Sequence, residues 1–206
     1  MQKIKCIFFD IGGVLMDHIT AFNTLSRQHN IPEQESLTFF RSHADDIDSG
    51  TLTWANFEEL YCEKFHPSIH FKLNFLESFV RNIRIIQQSH DLIYELKEHY
   101  NVGILSNMSE DFFQLVKEQN LIPNIHYIAV VISGTIGSIK PEKKLFEYAQ
   151  NKVNTLPDEL LFIDDKEMNV KAAQSYGWNS YQFNTTNPTE SVEMIKRNLR
   201  LENVNL

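Results

Sequence analysis

Four positions in this 206-residue chain place chemically able side chains after short apolar runs, three of them directly. Asp10 follows Ile4–Phe9, Ser106-Asn107 follows Val102–Leu105, Asp164-Asp165 follows Leu160–Ile163, and Lys140 comes after Tyr127–Ile132. A single acid in such a place is an ordinary turn former or helix cap. A full set of carboxylates, hydroxyl and ammonium is better suited to a site for an anion and a metal. Carboxylates that converge repel by about 4 kcal/mol per pair at 4 Å and an effective dielectric of 20. Lys140 offsets part of that, and a hard divalent cation with oxygen ligands, Mg²⁺, resolves the rest. Asp10 is ionised at neutral pH and needs no base to act as a nucleophile. Mg²⁺ and Lys140 would stabilise charge on a transferring phosphoryl group, with Ser106 and nearby N–H groups holding a further oxygen.

These positions need a scaffold, and the apolar runs supply it. Ile4–Phe9 is nearly continuous in apolar residues, the pattern of a strand buried on both faces. Val102–Leu105, Tyr127–Ile132, Leu160–Ile163 and Ser180–Phe183 share it to varying degrees. Helical patterns lie between them. One opens at Pro141 with Leu145, Phe146 and Ala149 on one face, one spans Lys166–Tyr176 and closes at Gly177, and one starts at Asn187-Pro188. Strands alternating with helices predict an α/β fold with a Rossmann-like parallel sheet, whose ligands sit at the carboxyl ends of the strands. Between Asp17 and Lys97 the pattern is helical only, in Ala21–His29, Glu33–Ala44, Thr53–Phe65 and Phe71–Ile83. The expected division is a core of residues 1–17 and 96–206 and a helical cap at 18–95.

In order, FFDIGGVL (Phe8–Leu15), ILSN (Ile104–Asn107), SIKPEKKLFEYA (Ser138–Ala149) and FIDDKEMNVKAAQSYGW (Phe162–Trp178) resemble the four motifs of the haloacid dehalogenase-like hydrolases. The resemblance covers the whole chain and implies a small cap inserted after the first motif. It implies that Asp10 becomes an aspartyl-phosphate, that Ser106 and Lys140 hold the phosphate with Asn107 beside them, and that the cap selects the substrate. It also implies Mg²⁺ bound by Asp10, Asp164, Asp165 and the backbone carbonyl of Gly12. A small phosphorylated metabolite, such as a sugar phosphate, is the expected partner.

The chain departs from the pattern at one place. Phosphatases of this kind carry a second Asp two residues after the nucleophile, where this chain has Gly12. General acid–base help contributes roughly 10²–10⁴-fold to rate. A slow enzyme, a relocated acid such as Asp17 or His18, or a non-catalytic phosphate-binding protein are the alternatives; for Asp17 the plain reading is a helix cap. Dehalogenases of the superfamily also lack that Asp and use no metal, but the Asp164-Asp165 pair favours Mg²⁺ and phosphate.

Composition bounds the remaining classes. A net charge of −8 argues against nucleic acid or an anionic membrane surface as partner. No run approaches the ~20 apolar residues of a membrane span, and Met1–Phe9 meets Asp10 too soon for a signal peptide, so a cytoplasmic protein is expected. Cys6 and Cys62 give no disulfide framework, and Cys6 reads as a buried small hydrophobe. His66 and His70 have zinc-like spacing broken by Pro67, and Asp45–Gly50 fails the calcium-loop pattern and reads as a turn before a helix. Trp54, Phe57, Tyr61, Phe65, Phe71, Phe75 and Phe79 are expected to form the core of the cap.

Overall fold

A computed structural model describes residues 4–65 and 74–199. Strand β1 (Cys6–Phe9) is fully buried, as a continuous apolar run requires, and its residues alternate between two cores. Ile7 and Phe9 join one hydrophobic cluster, Cys6 and Phe8 the other. Both neighbours of β1 are parallel to it. On one side β4 (Asn101–Ser106) pairs Phe9 with Ile104, and on the other β6 (Leu160–Asp164) pairs Phe9 with Ile163. The sheet is completed by β5 (Val130–Ile132) beside β4 and β7 (Asn179–Gln182) beside β6, in the order β5-β4-β1-β6-β7. It is an α/β fold built on a five-stranded parallel sheet. Gly103 in β4 lies under the ring of Phe8, where a Cβ would stand only 2.6 Å from Phe8 Cε1.

After β1 the chain turns tightly through residues 11–16, with Met16 N and Leu15 N both bonded to Ile11 O. It then enters a short ribbon in which β2 (Met16–Asp17) pairs antiparallel with β3 (Arg84–Ile85). Between the two ribbon strands lie α1 (His18–Gln28), α2 (Glu33–Ser49), α3 (Trp54–Phe65) and α4 (Phe75–Arg81). Their interior is aromatic: Phe22, Trp54, Phe57, Tyr61, Phe75 and Phe79 are all buried. Trp54 and Phe79 continue onto Phe112 of α6 (Glu110–Glu118), with ring centroids 5.6 and 5.5 Å apart. Helices α5 (Gln87–Leu96) and α10 (Pro188–Leu199) pack together, and α5 also contacts β4. The short α7 (Ser133–Ile136) follows β5, and α8 (Lys143–Val153) and α9 (Glu167–Ser175) complete the fold.

Three local expectations change. The helix read as opening at Pro141 begins at Lys143; Pro141 lies in the preceding turn, with a cis bond to Lys140. Asp45–Ser49 is the last turn of α2, carried on by the buried Ile47, and Gly50 closes it at φ +82°. The run Tyr127–Ile132 contributes only Val130–Ile132 as strand. Cys6 is buried as expected, and burial pushes its thiol up to about 12. His66, Pro67, His70 and Phe71 lie outside the described residues. Among the described residues, no helix is long and apolar enough to cross a membrane.

Candidate active site

The strand registers put Asp10 level with Asp164 across the β1–β6 pair, and Ser106 at the end of β4 on the other side. Asp10 Oδ1 accepts from Ile11 N at 2.7 Å and Ser106 Oγ at 2.6 Å, and pairs with Lys140 Nζ at 2.9 Å. The same Nζ reaches Asp164 Oδ2 at 2.7 Å and Leu105 O at 3.1 Å, and stands 5.1 Å from the Phe162 ring centroid. Burial works against the Lys140 charge, but Asp10 and Asp164 outweigh it and hold its pKa above the usual lysine value. Lys140 is thus a cation fixed between two carboxylates.

Asp164 and Asp165 occupy different environments although adjacent. Asp164 is held on both oxygens: Lys166 N donates to Oδ1 at 2.8 Å, and Asn169 Nδ2 lies 3.1 Å from each oxygen. Asp165 Oδ1 is buried with no partner. Burial first, then repulsion from Asp10 and Asp164, pushes the Asp165 carboxyl up to about 7. One oxygen from each of Asp10, Asp164 and Asp165 falls within 4.8 Å of the others. At that spacing each pair of charges repels by about 3–4 kcal/mol at an effective dielectric of 20. Three carboxylates, one of them with an unpaired buried oxygen, are a donor set that fits a small hard cation. Gly13 makes room for this: at φ +79°, a Cβ there would lie 2.5 Å from Asp165 Oδ2.

Of the two residues considered as relocated acids, Asp17 is taken up locally, because its Oδ1 caps α1 by accepting from Thr20 N at 3.0 Å. His18 lies against Gly12, and its Nδ1 is buried without a partner. Burial first, then the charge of Lys166, lowers the His18 pKa to about 4. Asn107 has a structural role that its strand-end position did not reveal. Its amide is bonded to the backbone of Lys140 at both ends, so the side chain positions that lysine and keeps one Nδ2–H beyond the clamp.

Several contributors were not foreseen. Asn169, in the first turn of α9, holds both oxygens of Asp164; an Asn placed early in the helix after an acid pair was the available hint. Ser133 Oγ takes the N–H of Met108 at 2.8 Å and donates to Asp48 O at 2.5 Å, joining the loop after β4 to the end of α2. Trp54 Nε1 donates to Ser109 Oγ at 2.9 Å, a second tie between the inserted helices and that loop. Burial, with a further contribution from Asp10, raises the Asp48 carboxyl to about 7 against the opposing pull of Lys166. Asp48 is thus electrostatically coupled to Asp10 and Lys140, which its position in an acidic turn-like stretch did not reveal.

A model of the haloacid dehalogenase-like hydrolases matches residues 4–177. The chain belongs to this family. No curated protein matches it. Among solved structures, a haloacid dehalogenase-like family enzyme of Bacteroides thetaiotaomicron is 24% identical, with a TM-score of 0.72 over 89% of this chain and 95% of that one. That enzyme has also been crystallised with magnesium and inorganic phosphate, a form 25% identical with a TM-score of 0.66, covering 88% and 95%. A hydrolase of the family from Porphyromonas gingivalis is 21% identical, with a TM-score of 0.74 over 96% and 98%. The L-2-haloacid dehalogenase of Xanthobacter autotrophicus shares the fold at 18% identity and a TM-score of 0.67, over 87% and 77%.

Proposed function

We propose that this hydrolase cleaves a small phosphomonoester, such as a sugar phosphate, in a Mg²⁺-dependent reaction through an aspartyl-phosphate on Asp10. The observation that carries the reading is the trio Asp10, Asp164 and Asp165, with Lys140 bound between the first two. Asp10, Asp165 and the Gly12 carbonyl would hold the metal, with Asp164 beside them. Bound there, Mg²⁺ neutralises the carboxylates and withdraws charge from the phosphoryl oxygens.

Asp10 is aimed by three donors on Oδ1: Ile11 N, Ser106 Oγ and Lys140 Nζ. Its carboxylate attacks phosphorus, the P–O bond to the ester breaks, and the alcohol departs. Water then attacks the aspartyl-phosphate, releasing inorganic phosphate and restoring the carboxylate. Ser106 and Lys140 hold phosphoryl oxygens in both steps, and Asn107 keeps Lys140 in place. We assign the role of cap to residues within 18–95; α5 at the end of that range packs on β4 and α10, so α1–α4 carry the covering function.

The test is phosphate release from an aryl phosphate with Mg²⁺ and with EDTA. Asp10→Asn should abolish Mg²⁺-dependent release; wild-type turnover in that variant would end this reading. Gly12 sustains a second reading, a phosphate-binding protein without turnover. Formation of a beryllium fluoride adduct on Asp10 while no phosphoester is cleaved would favour it. The third reading, a metal-independent 2-haloacid dehalogenase, has the acidic trio against it and requires halide release that persists in EDTA.

A further inference from the structure

The carboxylate missing at Gly12 leaves a space that another side chain has entered. A Cβ built on Gly12 would meet His18 Nδ1 and His18 Cε1, each at 3.1 Å. The tight turn of residues 11–16 folds the chain back so that His18, the first residue of α1, faces Gly12. The edge of the imidazole therefore lies where a residue-12 side chain would leave the backbone. That edge is polar, since Nδ1 is buried and has no hydrogen-bond partner in the protein. An unsatisfied buried polar atom costs about 1–3 kcal/mol, a cost that a ligand can remove by supplying the partner. An imidazole N–H is an effective hydrogen-bonding electrophile for an oxygen that gains negative charge.

We propose that His18 takes over the position of the missing residue-12 carboxylate, its Nδ1–H hydrogen-bonding the ester oxygen that departs as Asp10 accepts the phosphoryl group. The inference rests on the phosphatase reading. As the Asp10–P bond forms and the P–O bond to the alcohol breaks, the bonding pair passes to the ester oxygen. That oxygen is held by Nδ1–H and takes its proton from water. The second water attacks the aspartyl-phosphate as before. The role favours esters with poor leaving groups, such as alkyl and sugar phosphates, because an aryl oxide needs little help.

The variants His18→Phe and His18→Asn separate the nitrogen from the bulk. Phe keeps a ring and removes Nδ1, whereas the Asn amide places a polar atom near the same point. With Mg²⁺, His18→Phe should lower kcat on ethyl phosphate about 10²-fold, the lower end for loss of one stabilising donor, and on p-nitrophenyl phosphate by less than about threefold. His18→Asn should recover at least about tenfold on ethyl phosphate. An equal loss on both esters, no loss, or no recovery by Asn overturns the proposal. A parallel measurement does not depend on turnover: the ¹⁵N signal of His18 Nδ1, assigned by its disappearance in His18→Phe, should shift when Mg²⁺ and aluminium fluoride are added. If the wild type cleaves neither ester, the phosphatase reading fails. In that case a shifted Nδ1 signal still supports contact with the anion, and an unchanged one overturns the assignment of His18 as well.

Discussion

Asn107 and Lys140 are joined twice: Lys140 N donates to Asn107 Oδ1 at 2.7 Å, and Asn107 Nδ2 donates to Lys140 O at 3.0 Å. This amide clamp ties the end of β4 to the turn before α8 and sets where the Lys140 stem starts. Asn107→Asp removes the donor and places an acid against a carbonyl. The variant should lose about 1–3 kcal/mol of stability and an order of magnitude or more in Mg²⁺-dependent phosphate release. Urea unfolding and steady-state kinetics check the two effects separately. Full activity would show that Lys140 needs no such clamp.

Asp165 carries the next expectation. Because its Oδ1 has no partner and its neighbours are carboxylates, binding of Mg²⁺ should stabilise the fold. At a hundredfold excess over Kd the gain is about 2.7 kcal/mol. Thermal unfolding should rise with Mg²⁺ in the wild type and respond much less in Asp165→Asn. In EDTA the variant should be the more stable of the two, since it lacks the repelling charge.

Stability against pH should bend in two directions in EDTA. Asp48 is raised from 3.8 to about 7, so the folded chain holds its proton more tightly than the unfolded chain. Stability from this group is therefore full below about pH 4 and falls as pH rises towards about 7. Asp165, raised from 3.8 to about 7, adds a fall of the same sign. His18 is lowered from 6.5 to about 4, which makes the unfolded chain the tighter proton binder, so its contribution grows as pH rises from about 4 to about 6.5. Urea unfolding between pH 4.5 and 7.5 should show Asp48→Asn reducing the fall and His18→Asn removing the opposing rise. Identical profiles for all three proteins would contradict these environments.

Restoring the absent carboxylate has a steric condition. Gly12→Asp places its Cβ 3.1 Å from the His18 ring, closer than ordinary contact. Crowding of this kind costs about 1–3 kcal/mol. The single variant should be destabilised, and the double variant Gly12→Asp/His18→Ala should recover most of the loss. Additive destabilisation in denaturant titrations would show that the two residues do not share the space.

Gly103 offers a control far from any chemistry. Gly103→Ala sets a methyl 2.6 Å from Phe8 Cε1 and 3.2 Å from Ala129 O, within the fully buried centre of the sheet. A loss of at least about 1–3 kcal/mol is expected, with Mg²⁺ response retained in the folded fraction.

The parallel sheet was legible in the sequence because strands buried on both faces leave unbroken apolar runs, as Cys6–Phe9 and Leu160–Ile163 do. The strand-end positions of Asp10, Ser106 and Asp164 followed from the same runs. What lay hidden depended on contacts between distant segments. The partner of Asn107 is 33 residues away, so its type alone suggested a ligand to phosphate. Asp48 read as part of an acidic turn because nothing local records that the end of α2 is bonded to Ser133, 85 residues away. His18 was one candidate among two until a turn of six residues brought its ring against Gly12 and left Asp17 capping a helix.

Ser133 has a single proton and two carbonyls within reach, Asp48 O at 2.5 Å and Met108 O at 3.3 Å. The first belongs to the inserted helices, the second to the loop that follows Ser106. While α2 packs on α7, the hydroxyl serves Asp48. If α2 swings away, rotation about one bond redirects the same proton to Met108, and the N–H of Met108 keeps its acceptor throughout. The Ser133 hydroxyl thus has a second acceptor already at hand, so losing Asp48 would orphan neither that hydroxyl nor the N–H of Met108.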